Sequence, residues 1–122
     1  MNAIPVLVNG AQGRMGQEAV KAITAESGLE LVAQTDLGDD LPAMLRNSGA
    51  QVAVDFTTAT VAYNNARTLI ECGVRPVIGT SGLLPEQVAE LQALCQAKQI
   101  GGVIAPNFAI GAVLMMKYAA DA

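Results

Sequence analysis

Short apolar runs alternate along the chain with stretches of helical period. Residues 3–8, interrupted only by Pro5, predict a buried strand. Met15, Ala19, Ala22 and Ile23 then recur at spacings of four, three and one, which predicts a helix with those side chains inward. Gly28 marks a break, and Leu29 to Gln34 reads as a second strand ending at Thr35-Asp36. A short helix follows, roughly Leu41 to Asn47, opened by Asp39 and Asp40, with Pro42 tolerated in its first turn. After Asn47-Ser48-Gly49, Gln51 to Phe56 is a third buried strand, and Thr57 or Thr58 can cap the next helix. That helix, about Ala59 to Cys72, carries Ala62, Ala66, Leu69 and Ile70 on one apolar face, and Gly73 stops it. Pro76 to Gly79 is a fourth strand. Pro85 opens a helix whose Val88, Leu91 and Cys95 face inward, Gly102 to Ala105 is a fifth strand, and Ala109 to Ala120 is a last helix, apolar nearly all round.

Alternating strands and helices indicate an α/β protein with a parallel sheet. The 14 residues between Gln34 and Gly49 hold one short helix and no strand, so the third strand must cross to the far side of the first. With right-handed connections the expected architecture is a doubly wound, Rossmann-like sheet of about five strands in the order 2-1-3-4-5. No internal repeat or linker interrupts it, and residues 1–122 read as one domain.

The chemistry concentrates where strands end. Between the first strand and first helix stands Gly10-Ala11-Gln12-Gly13-Arg14-Met15-Gly16, a GxxGxxG turn with Gln12 at the second glycine of the usual GxGxxG fingerprint. The first N–H groups of a helix have no internal partner, and the helix dipole adds roughly +0.5 charge there, so a pyrophosphate can settle if nothing blocks it. Gly10 reads as the tight turn, Gly13 as the close approach to phosphate and Gly16 as the helix–strand contact. Asp36 falls 20 residues after Gly16, where a dinucleotide fold places an acidic side chain on the adenosine ribose. The turns after the third, fourth and fifth strands, at Asp55–Thr58, Gly79–Gly82 and Pro106-Asn107, carry small or polar residues at the same edge, the edge at which open parallel sheets bind ligands.

Composition narrows the function. The 122 residues are 52% hydrophobic and 15% charged, enough apolar material for a core. A net charge of −4 without a basic cluster, and only two Tyr and two Phe, argue against nucleic acid as partner. No apolar run approaches the ~18 residues of a membrane span and no basic residue precedes an apolar leader, so a cytoplasmic protein is expected. Cys72 and Cys95 are expected to be free, buried thiols. There is no histidine, hence no His general base and no His metal ligand, and no metal is expected.

Four motifs in this order, Gly13-Arg14-Met15-Gly16, Asp55-Phe56-Thr57, Gly79-Thr80-Ser81-Gly82 and Pro106-Asn107-Phe108-Ala109-Ile110-Gly111, resemble those of the dihydrodipicolinate reductases of lysine biosynthesis. The resemblance covers nearly the whole chain. It implies a nicotinamide-dependent reduction, with an N-terminal cofactor domain and a C-terminal domain that binds substrate and forms most of a tetramer. By the same resemblance, Gly10, Ala11, Gln12, Gly13, Arg14 and Met15 would cradle the pyrophosphate and Asp36 would take the ribose hydroxyls. Phe56, Thr57, Gly79, Thr80 and Ser81 would lie along the ribose and nicotinamide, with Ala105, Pro106, Asn107 and Phe108 closing the nicotinamide end.

The departures from the family pattern are as informative. The family's substrate domain, with its histidine-rich catalytic stretch, is absent from these residues, so no catalytic residue is assigned and the chain alone is expected to be inactive. The family segment between the second strand and Asp55 is longer, and Ser81 and Ala109 replace the more usual Thr and Ser. Asp36, Asp39 and Asp40, with no Lys or Arg between Lys21 and Arg46, predict NADH in preference to NADPH. The last helix, with Lys117 its only charged side chain before Asp121, predicts self-association. Two other readings stand beside the reductase domain: a stand-alone nucleotide-binding or regulatory module without catalysis, and a scaffold whose glycines only make turns. NADH binding separates the scaffold from the others.

Overall fold

A computed structural model of the chain describes residues 3–80 and 82–104. In chain order these form β1 (Ile4–Asn9), α1 (Arg14–Ala25), β2 (Leu29–Thr35), α2 (Leu41–Ser48), β3 (Val52–Asp55), α3 (Ala59–Glu71), β4 (Arg75–Ile78), α4 (Pro85–Lys98) and β5 (Val103–Ile104). The sheet runs β2-β1-β3-β4-β5 with every pair parallel, as the sequence predicts. Only α2 lies between β2 and β3, so the chain does cross over β1 to begin the second half of the sheet.

Alternation along the strands supplies two cores. Val6, Val8, Val52, Val54 and Val77 face α1, where they enclose Ala19 and Ile23. Leu7 and Ala53 face the other way, against Leu41 and Leu45 of α2 and Leu69 of α3. Ile78 joins Ala62, Ala66, Ile70 and Leu91 beneath α3 and α4. Every one of the four α3 positions expected inward is fully buried. Ile23, fully buried, contributes roughly 1.5–3 kcal/mol and ties α1 to the sheet. Asp40 caps α2 by accepting the Ala43 N–H at 3.1 Å, and Gly49 ends that helix at φ 72°.

β1 and β2 are not in simple register. Val6 pairs with Leu31 but Leu7 pairs with Ala33, so β2 carries one extra residue, Val32, in a bulge. Val32 and Ala33 consequently both lie toward the α2 side.

Three local expectations change. The buried stripe of α1 is Gly16, Ala19 and Ile23, while Met15 and Ala22 are exposed. At 100° per residue the stripe centres near Gly16, which carries no side chain and so leaves no mark in a hydrophobic pattern. Thr58 occupies the N-cap of α3, but its side chain makes no cap bond, and the hydroxyl of Thr57 is turned to Asp55 instead. Both cysteines are free, yet Cys72 is exposed and Cys95 half-buried, because Cys72 sits past the last buried turn of α3. Ser81, Ala105, Pro106, Asn107, Phe108 and the expected last helix lie outside the described residues. Among the described residues no helix is long and apolar enough to cross a membrane.

Candidate functional site

The C-terminal ends of β1, β2, β3 and β4 bring their turns to one edge, and the glycine turn after β1 is its centre. The three glycines of that turn differ in what they answer to. Gly10 sits at φ 81°, and a Cβ there would lie 2.8 Å from the Phe56 carbonyl carbon. At Gly16 a Cβ would lie 1.9 Å from the Gly10 carbonyl oxygen, so α1 can approach β1 only through glycine. At Gly13 a Cβ would meet only the Gly10 oxygen, at 3.7 Å, an ordinary contact. Nothing in the described protein requires glycine at position 13.

The turn's amides are divided between structure and solvent. The N–H groups of Gly10 and Ala11 donate to the Thr35 carbonyl at 2.9 and 3.1 Å, and that of Gly13 to the Gly10 carbonyl at 3.3 Å. The Gln12 N–H donates to Asp36 Oδ2 at 2.8 Å. Gly13 is the N-cap of α1 without a side-chain cap, and no acidic residue lies in the first turn. The amides of Arg14 and Met15 therefore begin the helix with no acceptor within it.

Asp36 stands beside this helix start at the end of β2. Its Oδ1 accepts the Leu37 N–H at 2.8 Å, and its own N–H donates to Asp39 Oδ2 at 2.8 Å. Each carboxylate oxygen thus has one backbone donor and keeps a second lone pair for a ligand hydroxyl. Gly10, Gly13, Asp36, Leu37, Phe56 and Thr57 line a cleft of about 140 Å³. The structure thus brings the glycine turn, the acidic residue and the Asp55–Thr58 turn together. Phe56 lays its ring on Gly79, where a Cβ would fall 2.1 Å from Cε1, and so links the β3 and β4 turns. A larger cavity of about 560 Å³ opens between α3, α4 and β5, away from the glycine turn, and no charged side chain among the described residues lines it.

Below the cleft runs a polar chain. Thr35 donates its hydroxyl to Asn9 Oδ1 at 2.8 Å, and Asn9 Nδ2 donates to Asp55 Oδ2 at 3.0 Å. Asp55 Oδ1 accepts the Thr57 N–H at 2.9 Å and also the Thr57 hydroxyl. Asn65 of α3 donates to Thr57 Oγ1 at 3.1 Å, and the Thr80 hydroxyl donates to the Thr57 carbonyl. Sequence reasoning singled out Thr57 and Thr80 but not Asn9, Thr35 or Asn65. One signal was available: Asn9 follows Leu7 at the two-residue period of β1, so it occupies an otherwise apolar face.

The family model described as "Dihydrodipicolinate reductase, N-terminus" matches residues 4–108. A Coxiella burnetii protein named 4-hydroxy-tetrahydrodipicolinate reductase is 49% identical over 120 residues, which are 98% of this chain and 50% of that protein. A Legionella pneumophila protein of the same name is 49% identical over 117 residues, 96% of this chain and 48% of that one. Among solved structures, dipicolinate-bound dihydrodipicolinate reductase from Paenisporosarcina sp. TG-14 superimposes with a TM-score of 0.79 at 32% identity, over 96% of this chain and 52% of that one. The chain spans about half the length of the curated relatives it matches.

Proposed function

The chain belongs to the dihydrodipicolinate reductase family, matching its N-terminal part, and from that premise we propose that residues 1–122 bind a nicotinamide dinucleotide for the reduction of 4-hydroxy-tetrahydrodipicolinate in lysine and diaminopimelate biosynthesis. The observation that carries the reading is Gly13. A glycine that no protein contact demands, beside uncapped helix amides and a carboxylate with lone pairs to offer, fits a position where a phosphate comes close to the backbone. The amides of Arg14 and Met15 receive the pyrophosphate, and Asp36 accepts the adenosine ribose hydroxyls. The remaining half of the dinucleotide then extends along the sheet edge over the β3 and β4 turns, which Phe56, Thr57, Gly79 and Thr80 form, with Ser81 and Ala105–Phe108 assigned to the same end from the sequence.

When bound, the nicotinamide supplies the hydride that reduces the substrate. This chain's residues hold and orient it. They include no histidine, and the hydroxyl hydrogens of Thr57 and Thr80 are given to Asp55 and to the Thr57 carbonyl, so proton delivery and substrate binding are assigned to the part of the relatives that this chain does not cover. Turnover is not expected from these residues alone.

NADH is preferred over NADPH in this reading. A 2′-phosphate would meet Asp36, with the carboxylates of Asp39 and Asp40 held nearby at the start of α2. Two like charges at ~4 Å cost up to about 4 kcal/mol at an effective dielectric of ~20, and less once water screens them. The reading also includes self-association through residues 109–120, on the composition of that segment alone. A cytoplasmic location is proposed on the two free thiols. Calorimetric titration tests the central claim: NADH binds, and Gly13→Ala weakens it at least tenfold while leaving the fold intact. Unchanged affinity in Gly13→Ala refutes it. Sedimentation as a clean monomer at high micromolar concentration, with Leu114→Glu giving no gain in solubility, refutes the self-association.

A further inference from the structure

Asn9, Thr35 and Asp55 of the polar chain beneath the cleft have no part in the binding roles above, yet Asp55 is the only fully buried carboxylate among the described residues. Asp55 is 0% exposed, and Asn9 and Thr35 are 5% and 2% exposed, so none of the three can touch a ligand. A buried carboxylate persists only when its oxygens are satisfied. Asp55 has three donors, from Asn9, the Thr57 backbone and the Thr57 hydroxyl. The consequence falls on Thr57. Its N–H and hydroxyl hydrogen are committed to Asp55 and its carbonyl to Thr80, whose hydroxyl hydrogen is thereby committed as well. Neither threonine has a hydroxyl hydrogen free for a ribose. What the bonds give them is a fixed position at the edge.

We infer that Asp55 is a positioning residue: held by Asn9 and Thr35, its carboxylate fixes Thr57, and through Thr80 the β4 turn, as the rigid corner that seats the nicotinamide half of the dinucleotide. The inference rests on the dinucleotide reading. With adenosine at the end of β2 and pyrophosphate at the start of α1, the order of the sheet puts the β3 and β4 turns next in line for that half.

The test compares NADH with ADP, which carries the adenosine and pyrophosphate but no nicotinamide. Asn9→Asp sets a second carboxylate against Asp55 and is expected to weaken NADH at least tenfold while ADP stays within twofold. Adding Asp55→Asn should bring NADH back to within threefold of wild type. In that double variant the amide at position 55 donates to the carboxylate at position 9, while its oxygen keeps both Thr57 bonds. A purely steric role for these positions gives no such rescue. Should Asn9→Asp fail to fold, Thr57→Val decides the matter, with NADH about fivefold weaker and ADP unchanged. Equal losses for NADH and ADP, no loss in either single variant, or a double variant as weak as Asn9→Asp overturns the inference. Wild-type chain that binds neither compound refutes the dinucleotide reading instead.

Discussion

Replacing Gly16 by alanine tests how α1 meets the sheet. The added Cβ would stand 1.9 Å from the Gly10 carbonyl oxygen, 2.7 Å from its carbonyl carbon and 2.9 Å from Ala11 Cα. All three are backbone, so no side chain can swing aside. Real Cβ contacts essentially never fall under 3.0 Å, so the helix must retreat from the turn by more than an ångström. Overpacking of this kind costs about 1–3 kcal/mol. Retreat also uncovers part of Ile23 and Ala19, and the full burial of an isoleucine contributes roughly 1.5–3 kcal/mol. Against these, alanine is a better helix former than glycine by about 1 kcal/mol. The net loss is about 2–4 kcal/mol, and at roughly 4 °C per kcal/mol the melting temperature falls by about 8–15 °C. Gly13→Ala is the control. It loses only the advantage of glycine over alanine at an N-cap, about 0.5–1 kcal/mol, or roughly 2–4 °C. Thermal unfolding followed by circular dichroism reads both. A Gly16→Ala melting temperature within 3 °C of wild type, on the order of the control, refutes the packing argument.

Asp36→Ala weakens NADH by roughly tenfold or more, since it removes the proposed ribose acceptor and releases the Gln12 amide; calorimetry that finds NADH unchanged counts against the role. Wild type binds NADPH about 10- to 100-fold more weakly than NADH, and Asp36→Asn narrows that gap; tighter NADPH binding by wild type sinks the charge argument. Tyr63 donates to Glu90, which raises the phenol above its ordinary value of 10.0, with burial and the Glu90 charge adding to the effect. A raised folded-state value means the bond stabilises below the unfolded pKa and is lost as pH rises through the folded one. In a Tyr118→Phe background, Glu90→Gln should therefore move the tyrosinate absorbance transition to lower pH, and an unmoved transition rejects the pairing. Burial raises the Cys95 thiol, whereas Cys72 is exposed, so a thiol reagent at mildly alkaline pH labels Cys72 first; equal rates contradict the structure.

The parts of the fold that were legible in the sequence are those whose physics is periodic. The α3 face was readable because Ala62, Ala66, Leu69 and Ile70 are all apolar and all inward. The strand order followed from what could fit between Gln34 and Gly49. The α1 face was misjudged because its closest contact is made by Gly16, whose contribution is the lack of a side chain. The glycine turn and Asp36 could be found by spacing, since one helix and one strand separate them. The Asn9–Asp55–Thr57 chain obeys no such rule. Asn9 and Asp55 come from separate strands, and only the parallel register that sets them side by side makes them neighbours. Thr57 shows the cost: as a residue type it suggests a hydroxyl for a ligand, and the fold gives that hydroxyl another partner.

The bulge at Val32 bears on how far such spacings can be relied upon as rulers. It absorbs one residue between Leu31 and Ala33, after which Gln34 and Thr35 rejoin Val8 and Asn9 in register. Deleting Val32 would leave a plain ladder with the same partners at its end, and Asp36 would not move. The edge strand thus acts as a slack take-up: a relative one residue shorter in β2 can have an identical binding edge. A search that insists on a fixed count from glycine turn to acidic residue will pass over such relatives, while one that counts ladder pairs will find them.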